Sequence, residues 1–195
     1  MKDKNNLDIG RMSIDIFLSA EQVTANTIII PKLLHGSNIV TVVSGNEDLN
    51  DCDALITENG GLSLGIRTAD CAPVCFSDGK TTGIAHVGWR GLCLGLIEKM
   101  LPHFNAGALS VYVGPFLHSF QIQRDFCYEK INHKFGERFL SQEGDNLMFN
   151  FRDAIASLLP TQTVYDSRNT ATDFSFPSHR RGDANRLITV VSFHL

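Results

Sequence analysis

Short apolar runs separated by Gly, Asn and Asp clusters dominate the first half of the chain, at residues 27–30, 39–43, 54–57, 62–67, 74–76 and 83–86. Runs of this length bounded by turn-forming residues predict strands. The period then changes. Trp89, Leu92, Cys93, Leu96, Ile97, Met100, Leu101 and Phe104 recur at the spacing of one apolar face of an amphipathic helix. Residues 109–113 predict a strand ending at Gly114-Pro115. Residues 125–139 predict a helix with Cys127, Ile131, Phe135 and Phe139 four apart, and residues 151–159 a second one stopped by Pro160. Residues 163–165 and 187–193 read as late strands. Strands first and helices scattered later predict an α+β or mixed α/β fold. No repeat, low-complexity tract or linker divides the sequence, so residues 1–195 read as a single domain.

Composition narrows the class. Hydrophobic residues make up 43% of 195, which predicts a globular protein with a real core. Seventeen Lys and Arg against 21 Asp and Glu leave a net charge of -4, without the basic footprint of a nucleic-acid binder. No apolar run is long enough to span a bilayer, so no membrane partner is expected. The first ten residues, MKDKNNLDIG, hold no apolar segment of a secretory signal. The expected location is therefore cytoplasmic, and the five cysteines are expected to be reduced thiols.

Candidate chemistry gathers at the predicted strand ends. His35 precedes a strand, Cys71 lies in a turn after one, and His86 ends one. One Cys and two His form a known catalytic zinc set that leaves a fourth position open. The competing reading of each His is a hydrogen-bonded structural residue. Asp70, beside Cys71, reads either as an acid–base or ligand-orienting carboxylate or as the cap of a local turn. In HVGWRG, residues 86–91, a strand runs into a helix through Gly88, Trp89 and Arg90. That turn reads as an anion site with Arg90 as a bidentate grip, or as an ordinary turn with Trp89 as a core anchor. SHRRGDANR, residues 178–186, reads as a substrate clamp using Arg180 and Arg181, with His179 as an extra proton donor, or as a solvated basic loop. Cys93 and Cys127 read as core thiols, Cys75, four residues after Cys71, as a core thiol or else a ligand or redox partner, and Cys52, in the polar turn LNDCDAL, as incidental.

In order along the chain, LLHGSNIVTV, DALIT, LGIRTADCAPVCF, GIAHVGWRGLCLGLIEKML, VYVGPF and SHRRGDANRLITVV resemble the laccase-domain family. That family is also called multicopper polyphenol oxidoreductase, purine nucleoside phosphorylase of the laccase-domain type, or peptidoglycan editing factor. TADC followed by AHVGWRG is the most specific part. The resemblance implies a mixed α/β sandwich similar to the deamidase domain of cytotoxic necrotizing factor. It implies His35, Cys71 and His86 as zinc ligands and Asp70, Cys71 and Arg90 as catalytic residues. Gly88, Trp89, Arg90, Arg180 and Arg181 would bind substrate or phosphate. The implied activity is phosphorolysis of adenosine, inosine or guanosine, deamination of adenosine, or both. The alternatives are an amidohydrolase, using zinc or Cys71, that edits peptidoglycan precursors, and a non-catalytic zinc protein. Copper oxidation does not fit, because seven histidines without a His-x-His pair are too few for several copper centres. The sequence departs from the family pattern in its short segment before His35, in Phe116 after Gly114-Pro115, and in Asn169-Thr170 where a Cys-Thr pair is usual.

Overall fold

The computed structural model describes residues 5–19 and 28–193. Strand β1 (Asn5–Ile9) and β2 (Met12–Phe17) form a hairpin, followed by β3 (Ile28–Ile29), β4 (Ile39–Thr41), β5 (Ala54–Thr57), β6 (Ser63–Thr68), β7 (Ala72–Ser77) and β8 (Thr82–Val87). Thr27 of the expected strand at 27–30 lies outside the described residues. Then come α1 (Trp89–Cys93), α2 (Leu96–Met100), β9 (Ser110–Val113), β10 (Ser119–Ile122), α3 (Phe126–Phe135), β11 (Leu140–Glu143), β12 (Asn146–Asn150), α4 (Phe151–Ala156), β13 (Val164–Tyr165) and β14 (Leu187–Phe193). The fold is mixed α+β.

Three sheets organise the described residues, with strand orders β1-β2-β14-β6-β3, β10-β12-β11 and β13-β9-β7-β8-β5-β4. The first and the last pack face to face. Met12, Ile14 and Ile16 from β2 alternate with polar residues and meet Leu64, Ile66, Leu187 and Val191 of their own sheet. Leu55, Cys75, Ile84 and Tyr112 of the six-stranded sheet close that core. The opposite face of the six-stranded sheet carries Ile56, Val74, Phe76, Ala85 and Val87, covered by the helices and the small sheet. Because both faces are covered, β7 and β8 are buried at every position and read as continuous apolar runs.

Two expectations change. The helical stripe from Trp89 to Phe104 is not one helix. It breaks at Gly95, whose φ of 78° is left-handed, and ends in a 3-10 turn, Leu101–His103. Leu92, Leu96, Ile97 and Met100 still face the core, so the pattern reported burial correctly and continuity wrongly. Cys52 is not incidental. It is fully buried, and its thiol donates to the Ala54 carbonyl at 2.9 Å.

Candidate metal centre and its cleft

Strands β5, β8 and β7 are neighbours in the central sheet, and their register fixes what meets at one end of it. Ala54 lies opposite Ala85, and Pro73 opposite His86. Asp53, just before β5, and Cys71, just before β7, therefore flank His86. The His86 N–H also donates to the Asp53 carbonyl at 2.7 Å. His35 reaches the group from the turn before β4. Its backbone has a left-handed φ of 60°, a strained state for a residue with a Cβ.

A single buried carboxylate enforces that turn. Asp53 is fully buried and accepts from the His35 N–H at 2.8 Å, the Gly36 N–H at 2.7 Å and His86 Nδ1 at 3.1 Å. Burial alone would raise the carboxyl pKa, but the His86 bond, the His86 charge and the two backbone donors hold it below the usual range. With Nδ1 committed to Asp53, the free ring nitrogen of His86 is Nε2. Donor atoms of His35, Cys71 and His86 all lie within 4.8 Å of one another. The two imidazoles meet edge to face, with ring centroids 4.7 Å apart. Burial pushes the Cys71 thiol up, yet hydrogen bonds to His35 and His86 and their charge bring it down to about 7. Burial likewise opposes charge on His86, but the bonds to Asp53 and Cys71 outweigh it and raise the ring to about 9. One thiolate, two imidazoles and a carboxylate fixing one imidazole form a donor set that fits zinc, with tetrahedral coordination completed by a fourth ligand.

The glycines of HVGWRG bring these pieces close. A Cβ on Gly88 would lie 3.0 Å from Cys71 Sγ, and one on Gly91 would lie 2.7 Å from the Gly36 carbonyl oxygen. Helix α1 thus packs directly on the His35-Gly36 turn. At five residues it is too short to carry an anion site of its own, so the glycines have a packing reason independent of phosphate.

The triad sits in a cleft of about 610 Å³, also lined by Lys32, Arg67, Gly88, Trp89, Arg90, Arg180 and Arg186. Lys32, Arg67, Arg90 and Arg180 have no carboxylate partner among the described residues. Asp70 lines the cleft as well, with a left-handed φ of 79°. Its carboxylate accepts from Thr170 Oγ1 at 2.7 Å, Ser178 Oγ at 3.0 Å and the Arg180 N–H at 2.9 Å. Asp70 anchors the basic loop beside Cys71, and Asp53 is the carboxylate bonded to His86. Arg181 turns away from the cleft. Its guanidinium donates to the Thr170 and Phe176 carbonyls and pairs with Asp183 at 3.1 Å. It braces the loop, while Arg180 faces the cavity.

A family model described as multi-copper polyphenol oxidoreductase laccase matches residues 11–194. The chain belongs to this family. A Rickettsia conorii purine nucleoside phosphorylase is 29% identical over 174 residues, covering 80% of this chain and 72% of that protein. An Aquifex aeolicus purine nucleoside phosphorylase is 27% identical over 175 residues, covering 84% and 82%. The fold is shared with a solved Neisseria meningitidis protein at a TM-score of 0.83, with 20% identity and both chains covered in full. A Bacillus licheniformis hypothetical protein, YfiH, matches at a TM-score of 0.74, with 23% identity over 85% of this chain and 73% of that one. The multi-copper description names a chemistry that the donors here do not match. Among the described residues one three-donor group is present, against the several centres such an oxidase needs.

Sequence reasoning brought out His35, Cys71, His86 and the cleft-facing Arg90 and Arg180. It missed Asp53, Lys32 and Arg67. The signal for Asp53 is an acid leading directly into the apolar run Ala54-Leu55-Ile56, an ionisable group entering a buried strand.

Proposed function

We propose that the protein is a zinc-dependent phosphorylase of purine nucleosides. The observation that carries this reading is the three-donor group opening into a cleft whose cationic side chains lack carboxylate partners. The names of the two bacterial relatives support the substrate class. His35, Cys71 and His86 would hold the zinc, which when bound supplies a Lewis-acidic positive charge beside the reacting bond.

The protein's own residues do the rest. Asp53 keeps the His86 Nδ1 proton in place and presents the other nitrogen. Arg90 and Arg180, with Arg67 and Lys32 at the rim, bind and orient phosphate oxygens, and Asp70 fixes the backbone from which Arg180 reaches. A phosphate oxygen forms a bond to ribose C1′ as the C1′–N bond to the purine breaks. The electron pair leaves on the ring nitrogen, where a proton must arrive. His179 lines the same cleft and is the side chain proposed to deliver it.

A second reading has its own observation. Asp53, His86 and Cys71 form a carboxylate–imidazole–thiol relay, the arrangement of a cysteine nucleophile with an oriented base. One experiment separates the two. Metal-replete protein is incubated with adenosine or inosine plus phosphate, with and without a chelator. Release of base and ribose 1-phosphate that stops on chelation and returns with zinc supports the phosphorylase. Inosine and ammonia would report adenosine deamination, the other reaction proposed for this site. Activity that survives chelation sinks the zinc reading in favour of the thiol.

A further inference from the structure

A second compartment of about 390 Å³ adjoins the metal cleft, and Trp89, Phe120 and Arg180 line both. The divide between them is made of flat groups. The Arg180 guanidinium lies 4.7 Å from the Phe120 ring centroid, and the half-buried Trp89 ring completes it. Planar aromatic and guanidinium surfaces stack well on planar ligands.

Beyond the divide the lining turns polar. Gln121, Gln123 and Asp125 are exposed there, and neither glutamine amide makes a hydrogen bond among the described residues. Among the described residues, strand β10, which carries Phe120 and Gln121, is an edge strand paired with β12 on one side only. Alternate backbone N–H and C=O groups along it point away from the ladder, with no ladder partner. A stacking wall beside an unpaired strand edge and two free amides suits a flat ring whose rim alternates donors and acceptors.

We propose that this compartment is the purine subsite, in which the base stacks on the Trp89, Phe120 and Arg180 surface and β10 with Gln121 and Gln123 reads its edge. The inference rests on the purine-nucleoside reading and deepens it. The ribose and phosphate then occupy the cation-lined cleft beside His35, Cys71 and His86.

Trp89 is the only tryptophan in the chain, so it reports directly on the divide. The test titrates zinc-loaded protein with adenosine and inosine, without phosphate, and follows tryptophan emission. It then repeats binding and phosphorolysis with the double variant Gln121→Ala, Gln123→Ala, at two exposed positions. Saturable quenching is expected. The double variant should bind about ten-fold more weakly, the scale of one lost base contact. Its ratio of kcat/KM between adenosine and inosine should shift, with zinc content and phosphate KM unchanged. Turnover with unquenched Trp89, or an unchanged ratio in the variant, overturns the subsite and leaves the phosphorylase standing. Glutamine-dependent quenching without turnover keeps the subsite and sinks the phosphorolysis reading. Absence of both binding and turnover sinks both.

Discussion

Two buried aspartates organise two parts of the same cleft by different means. Asp53 gathers His35, Gly36 and His86, partners 17 to 33 residues away, onto the end of a central sheet whose strands are buried on both faces. Asp70 gathers Thr170, Ser178 and Arg180, partners 100 to 110 residues away, from a stretch between β13 and β14 with little regular structure. The metal wall is held by strand register with one carboxylate completing it. The basic wall is held chiefly by side chains. The first wall should therefore depend most on its centre, and the second should yield in steps.

The largest effect is expected at Asp53. Asp53→Ala leaves His86 and two backbone N–H groups without their acceptor in a dry site. Breaking one partner out of a buried, charge-bearing network costs about 3–5 kcal/mol. Loss of a ligand-orienting partner also weakens metal binding about 10–100-fold. Thermal melts and metal analysis after dialysis should show both losses together. Full zinc retention with an unchanged melt would show that strand register alone builds the metal wall.

Asp70→Asn should break the other wall and spare the first. An amide offers one acceptor oxygen to donors that now occupy two, and it removes the charge. Hydrogen bonds to charged groups are worth about 1.5–3 kcal/mol each. The expected result is normal zinc content, a phosphate KM raised about ten-fold, and a smaller change in kcat. If kcat collapses while phosphate KM holds, Asp70 transfers a proton after all, and its three donors are not the reason for its position.

Gly91→Ala tests how the metal wall is closed from outside. Its Cβ would sit 2.7 Å from the Gly36 carbonyl oxygen, a backbone atom with nowhere to rotate. Overpacking of this kind costs about 1–3 kcal/mol, and each kcal/mol lowers Tm by about 2–4 °C in a chain of this size. Zinc affinity should fall with Tm, because the displaced turn carries His35. A lowered Tm with unchanged zinc affinity would separate the turn from the ligand it holds.

The two walls also differ in how far the sequence revealed them. His35, Cys71 and His86 stood out because Cys and His at strand ends carry few meanings, and the strands around them were readable from composition. The hairpin β1–β2 was missed although Met12, Ile14 and Ile16 alternate cleanly, since Asp and Asn around them read as a polar terminus. The edge strand β10 and its partners β11 and β12 were missed because Gln, Ser and Asn occupy their exposed faces. The role of Asp70 was not legible in TADCAP, since its three donors lie 100 or more residues away. Thr170 shows the same limit. As half of an Asn-Thr pair replacing Cys-Thr it looked like part of a departure, whereas its hydroxyl is the retained half that holds Asp70.

The smallest effects sharpen the comparison most, because they ask whether the basic wall is one unit. Thr170→Val and Ser178→Ala each remove one neutral donor from Asp70 at buried positions, 1% and 2% exposed. Each should cost about 1.5 kcal/mol, the low end for a hydrogen bond to a charged group. The two hydroxyls bond to different oxygens of one carboxylate, so losing either frees that carboxylate to rotate and weakens the other bond. The double variant should then cost less than the sum of the singles, by about 0.5 kcal/mol or more, the range seen for residues sharing a network. Chemical denaturation of the four proteins measures this coupling. Additivity within about 0.3 kcal/mol would mean that residues 170 and 178 are held independently. Asp70 would then be a bystander to two separate loops, and the ten-fold effect on phosphate KM expected of Asp70→Asn would have to come from charge alone.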